Sequence, residues 1–292
     1  MIDIKGLRGL TLLSTNLERS ADFYERLWGL ERLNSGDLPG VYFRGSGSEP
    51  CILGFEPGER RGVAALRLAL ESPAAVERAY AELGEAGVAR LDEPGPLPVP
   101  GDYYGFHFSD ADGNRVELSA LAGSAAADAD RPFVPQRLSH LVFNSPDNRA
   151  QLRFYTEVLG LSLADWYAGD IFFFLRCNSQ HHIFGLERGD NVSLNHVAFH
   201  VQDLDAMMRF VGHMSNGGYE PLWGPGRHGP GGNCFCYYED PEGYVVEVTS
   251  ELIEIPEGEE WVPKEWTPGP DNANVWGTGG RTDRAIKLMS GH

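Results

Sequence analysis

Basic residues are scarce in this chain: 24 lysines and arginines stand against 42 aspartates and glutamates, a formal net charge of -18 at pH 7. So anionic a molecule offers no basic stripe to neutralise phosphates, which argues against nucleic acid as a partner, and a polyanionic substrate would enter against the field. Long apolar runs are missing too. Nowhere do about 18 apolar residues follow one another, as a membrane-crossing helix needs, and the opening MIDIKGLRGL lacks the basic, apolar and small-residue order of a secretory leader. A cytosolic protein without membrane association is expected. Cysteine is sparse: Cys51, Cys177, Cys234 and Cys236 are too few and too irregularly spaced for a disulfide framework, so reduced, partly buried thiols are expected.

What the chain does have is apolar residues, 42% of 292, enough to build a core in each of two ordinary domains. A globular enzyme acting on a small, neutral or weakly charged substrate is the default expectation. The domains read as repeats, because sliding the chain along itself by about 131 residues superposes one pattern on another. NLERSADFYERLWGL matches DNRAQLRFYTEVLGL, setting Phe23, Tyr24, Gly29 and Leu30 against Phe154, Tyr155, Gly160 and Leu161; both segments predict amphipathic helices ending near a glycine. ALRLALESPAAVERAYAELGEAGV matches NHVAFHVQDLDAMMRFVGHMSNGGY, each an alternating strand followed by a helix. DADGNRVEL matches DPEGYVVEV, a tight turn feeding a strand that carries Glu117 or Glu247.

The expected fold is α+β, with two tandem domains, each a pair of βαβββ modules forming an eight-stranded, curved, barrel-like mixed sheet around a cavity. The boundaries fall at residues 1–124, 135–255 and a tail of 256–292. GSAAADADRPFVPQ, residues 123–136, has the composition of a linker. The tail is expected to be extended and pinned by Trp261, Trp266 and Trp276.

In the second repeat His140, His196 and Glu247 stand in three separate predicted strands. Alternation lets Leu141, Val197, Phe199, Val246 and Val248 face the helices while the three polar side chains share the opposite face. Two imidazoles and a carboxylate on one side of an ion, with open positions opposite, form the ligand set of non-haem Fe(II) oxygen chemistry. Taken singly, each residue is as readily a satisfied core histidine or a solvated glutamate. The first repeat decides otherwise: its counterparts are Gly9, Ala65 and Glu117, so the scaffold has no need of the histidines. A metal is therefore expected in the second half and not in the first. The same alternation places Val142, Phe174 and Ala198 beside the ligands as walls of a ring pocket.

The stretch GRHGPGGNCFCYYEDPEGYVVEVTSE, residues 226–251, carries a His, a Tyr nine residues on, a D-P-x-G turn and a Glu ten residues after the Tyr. With the doubled architecture, it resembles the two-domain type I extradiol dioxygenases of the vicinal oxygen chelate superfamily, over roughly residues 5–255. Cys236 departs from that family's aliphatic or Phe before the Tyr. The resemblance implies Fe(II), with Mn(II) as the alternative, held by His140, His196 and Glu247. O2 is implied as co-substrate, cleaving a catechol-type ring beside the diol to a 2-hydroxymuconic semialdehyde type of product in aromatic-compound breakdown. It places His228 and Tyr237 beside the substrate oxygens. It also implies an acid–base histidine near the O2 position, for which His182 is favoured by the following strand and His181 is the alternate. A homo-oligomer is implied as well. Of the remaining histidines, His107 is read as structural, His200 as filling a lower layer of the cavity, His213 as helical and His292 as part of a disordered end. The competing readings are a glyoxalase-like isomerase or transferase, and a binding protein on the same scaffold.

Overall fold

The computed structural model describes residues 2–122, 133–256 and 258–292, so most of the linker, 123–132, lies outside the described residues. Each half runs strand, helix, three strands, twice over. The first half begins with strand Gly6–Ser14 and helix Leu17–Arg26, where the Asn16 side chain caps the helix by accepting from the Arg19 amide at 3.1 Å. Helix Pro73–Glu85 is capped by Ser72 in the same way. In the second half the counterparts are strand Arg137–Ser145, a helix Asn148–Arg153 that widens into a π-turn at Phe154–Val158, and helix Leu204–Asn216 capped by Asp203. Gly29 and Gly160 both take positive φ, +73° and +84°, where each helix turns back toward its sheet, a conformation that favours glycine.

The first sheet has eight strands and mixes parallel with antiparallel pairs; strands Gly6–Ser14, Val63–Ala69 and Arg115–Leu121 lie side by side at its centre. The second has the same order with Arg137–Ser145, Ser193–His200 and Val245–Ser250 in the centre. It carries a ninth strand, Lys264–Trp266, parallel to Ser162–Tyr167. That strand corrects the eight-stranded expectation. The tail is not simply extended either: after this strand come short helices Pro270–Ala273 and Asp283–Met289. Trp261 and Trp266 do pin it, through indole N–H bonds to the Ala164 carbonyl at 2.8 Å and Asp165 Oδ2 at 2.7 Å. Trp276 does not; its ring is 42% exposed, under the Arg227 guanidinium. His292, expected at a disordered end, is placed, with its carbonyl accepting from Arg61 at 3.3 Å.

The repeats are joined reciprocally. Tyr24 of the first half donates to Asp240 of the second at 2.9 Å, and Tyr155 of the second donates to Asp110 of the first at 3.1 Å. Both aspartates sit in the turns that the repeat matched. Each half's leading helix is thus tied to the other half's turn, and one hydrophobic core, including Trp28, Phe199 and Phe210, runs across both. No described helix is long and apolar enough to cross a membrane, and the four cysteines are unpaired.

Candidate metal centre

Register brings the three expected ligands together. Ala198 lies between His140 and Glu247, paired with both across neighbouring strands, and His196 is two residues before it on the same face. Their ligand atoms all lie within 4.8 Å of one another and all three residues are buried. Glu247 Oε2 is 3.3 Å from His140 Nε2 and 3.4 Å from His196 Nε2. Yet neither His196 Nε2 nor Glu247 Oε2 has a hydrogen-bond partner. A buried polar atom without a partner costs about 1–3 kcal/mol, and two aimed at one point are a chemical fit to a cation.

The outer contacts orient these atoms. Asn195 uses its amide N–H groups on Asn144 Oδ1 at 3.0 Å and Glu187 Oε2 at 2.7 Å, so its Oδ1 accepts from His196 Nδ1 at 2.8 Å and leaves Nε2 bare for an ion. His140 Nδ1 meets Ser139 Oγ at 3.2 Å. Asn233 donates to Glu247 Oε1 at 3.2 Å, occupying the oxygen that faces away from the histidines. Burial lowers the His196 pKa to about 3, against the pull of Glu247, so the imidazole is neutral. Burial alone would raise Glu247, but the neighbouring His140 outweighs it and the carboxyl is held at about 2.

A cavity of about 690 Å³ opens beside the triad, a volume suited to a small organic ligand. Val142, Phe172, Phe174 and Trp223 form its apolar walls, Glu187 and Arg281 its charged ones, and Ile286 and Met289 of the tail close one side. His182 lines it, its ring centroid 4.5 Å from that of His140 and 5.0 Å from that of Phe174. Burial, with His140 and His181 nearby, lowers the His182 pKa well below the usual histidine value. His228 donates from Nδ1 to the Ala273 carbonyl at 2.7 Å, which leaves Nε2 to accept from the Tyr237 hydroxyl at 3.0 Å. Tyr237 stacks on Trp223 and stands edge-on to His196.

Other expectations about the wall need correction. Ala198 is fully buried and absent from the wall: its short side chain stands between the longer ones of its register partners His140 and Glu247. His181 lies behind His182, fully buried, with Nε2 3.1 Å from Asp165 Oδ2. His200 also lies off the cavity, opposite Arg137 in register. Asn195, Asn233 and Glu187 were missed. Asn195 adjoins a candidate ligand and Asn233 lies inside the most specific motif, but an asparagine by itself carries no ligand signal.

Fold and site together define a doubled α+β protein in which, among the described residues, one cluster of three side chains, His140, His196 and Glu247, could hold a metal ion. The model of the Glyoxalase/Bleomycin resistance protein/Dioxygenase superfamily matches residues 7–118 and again 137–248, and the chain belongs to that superfamily. It is 28% identical to "Metapyrocatechase 2" of Cupriavidus necator over 78% of this chain and 76% of that one. It is 29% identical to "3-methylcatechol 2,3-dioxygenase" of Pseudomonas putida over 50% and 51% of the two chains. The Mn(II)-bound glyoxalase from Novosphingobium aromaticivorans superposes with a TM-score of 0.91 at 32% identity, covering 98% of this chain and 94% of that one.

Proposed function

We propose that this protein is an extradiol dioxygenase that binds Fe(II) through His140, His196 and Glu247 and uses O2 to open a catechol-type ring beside its diol. The observation that carries the reading is the triad's unpartnered Nε2 and Oε2 at the edge of an apolar cavity flanked by His182, His228 and Tyr237. When bound, the ion would supply positions at which diol and O2 become neighbours, turning a bimolecular encounter into a local one. The chain's own groups do the rest. Phe174, Val142 and Trp223 hold an aromatic ring and exclude water. His182, neutral in its buried setting, accepts a diol proton and later returns it to oxygen. Tyr237 has hydroxyl lone pairs left over after donating to His228, and through them it accepts a hydrogen bond from a substrate hydroxyl. The product expected is of the 2-hydroxymuconic semialdehyde type. The names of the two curated relatives support a catechol-type substrate.

The same reading keeps the domain limits at 1–124 and 135–255 with a tail from 256, a cytoplasmic location and a homo-oligomer as proposals. The test is aerobic incubation of anaerobically Fe(II)-loaded protein with a panel of mono- and bicyclic catechols. A yellow ring-opened product with two atoms of labelled oxygen is expected. No product from any catechol would overturn the reading. One observation favours a second: the Mn(II)-bound structural relative is called a glyoxalase. Isomerisation of a glutathione hemithioacetal by the Mn(II)-loaded chain, with no catechol turnover by either metal form, would establish that instead.

A further inference from the structure

Behind the cavity wall lies a chain of buried hydrogen bonds that the proposed chemistry has not used. His182 Nδ1 is 3.0 Å from His181 Nδ1, and His181 Nε2 is 3.1 Å from Asp165 Oδ2. Asp165 also accepts the Trp266 indole N–H at 2.7 Å on Oδ2 and the Lys264 backbone N–H at 2.8 Å on Oδ1. Indole and amide N–H groups can only donate. Asp165 is therefore an acceptor on both oxygens, a carboxylate, and His181 Nε2 must donate to it.

The consequence passes inward one ring at a time. A neutral His181 protonated at Nε2 has a bare Nδ1, so the hydrogen in the Nδ1–Nδ1 contact belongs to His182. A neutral His182 with its proton on Nδ1 has its lone pair on Nε2. Its ring lines the cavity, and among the described residues Nε2 has no hydrogen-bond partner. The surroundings hold the rings in place: Trp261 stands edge-on to His181 at 5.1 Å and Phe174 edge-on to His182 at 5.0 Å. Trp266 and Lys264 belong to the ninth strand, so the tail fixes the outer end of the chain.

We propose that Asp165 and His181 are positioning residues that lock His182 in the Nδ1–H tautomer, presenting the bare Nε2 to substrate. A buried carboxylate that fixes an imidazole's tautomer in this way is an established catalytic device, and replacing it leaves geometry intact while presenting the wrong nitrogen. The assignment rests on the acid–base role proposed for His182, but its tautomer can be read without any turnover.

The test uses the full chain labelled with 15N-histidine and loaded with diamagnetic zinc, with His182 signals assigned through their loss in His182→Phe. Long-range 1H–15N correlations should show His182 protonated at Nδ1 and bare at Nε2. In Asp165→Leu His181 Nε2 loses its only acceptor, so nothing holds the proton order of the two rings and the Nε2–H form of His182 should appear. In the iron-loaded protein kcat should fall by about 10–100-fold, the usual loss on removing an outer-shell partner, with KM within about twofold. Trp266→Phe removes the tail's side-chain bond to Asp165 but keeps the relay, and should retain the wild-type tautomer. An Nε2–H form in the wild type would overturn the proposal. So would an unchanged tautomer in Asp165→Leu, or a Trp266→Phe variant that reproduces both changes. If the wild type turns over no catechol, the functional reading fails while the tautomer measurement still decides this one.

Discussion

The two repeats place the same register pairs at their centres and fill them oppositely. In the second, Ala198 pairs with His140 and Glu247; in the first, Arg67 pairs with Gly9 and Glu117. Arg67 is fully buried, and a methyl group added to Gly9 would lie 2.2 Å from its Nη2. The arginine thus runs through the space that His140 occupies in the other half. A guanidinium cannot shed its charge at any working pH, so the first half carries a covalently attached cation on the strand beside Glu117, where the second half has Ala198 beside Glu247. Arg67 Nη2 donates to the Cys51 carbonyl at 2.8 Å, and Glu117 accepts from Ser119 at 2.6 Å. Arg67 Nε and Nη1 have no hydrogen-bond partner, and Glu117 Oε2 also lies 3.7 Å from His107 Nε2, so the arginine acts on Glu117 through its field and not through a bonded pair. We propose that one scaffold surrounds its buried central glutamate with a fixed cation in the first half and with room for a metal, left by an alanine at the arginine's position, in the second.

The comparison breaks most visibly in the triad itself. His140→Ala, His196→Ala or Glu247→Ala should abolish metal retention, because two ligands hold a divalent ion of low Irving–Williams rank poorly; stoichiometric metal in any purified variant removes that residue from the set. Transplanting the first half's solution, as the double variant His140→Gly/Ala198→Arg, should give a folded protein that binds no metal. Binding by that variant would show that Arg67 is not the ion's counterpart. His182→Phe should keep metal and lose turnover by about 10²–10⁴-fold, with His181→Phe milder.

Next in size is the arginine. Arg67→Met removes the guanidinium's bond to the Cys51 carbonyl and its field at the buried Glu117, and a loss of at least about 1–3 kcal/mol in denaturant unfolding is expected, the usual cost of leaving a buried acceptor without its partner. Its metal content should not change. The smallest effects test the reciprocal tie between halves: Tyr24→Phe and Tyr155→Phe each remove one buried hydrogen bond to an aspartate and should cost about 1–3 kcal/mol apiece. A large loss from one with none from the other would contradict the symmetry.

Much of this organisation was legible in the residues. The repeat, the strand and helix order and the meeting of His140, His196 and Glu247 at one point all follow from periodicity, because register converts spacing in a strand directly into a shared face. Ala198 shows where that reasoning stops. Alternation put it on the same face as the triad, but reaching the cavity depends on the size of the neighbours, and the methyl of Ala198 is flanked by the longer His140 and Glu247. The role of Arg67 was hidden for the same reason: an arginine in a strand reads as exposed, and only the pairing with Gly9 shows the room made for it. Asp165 and the ninth strand were unreadable because they join residues about 100 positions apart across a tail of unremarkable composition.

We propose that one repeat holds an ion and the other has an arginine at the corresponding place. Anomalous diffraction at the iron edge from crystals of the Fe(II)-loaded protein tests it most directly. A single peak per chain, among His140 Nε2, His196 Nε2 and Glu247 Oε2, is predicted; a peak beside Glu117, or none at the triad, would contradict it.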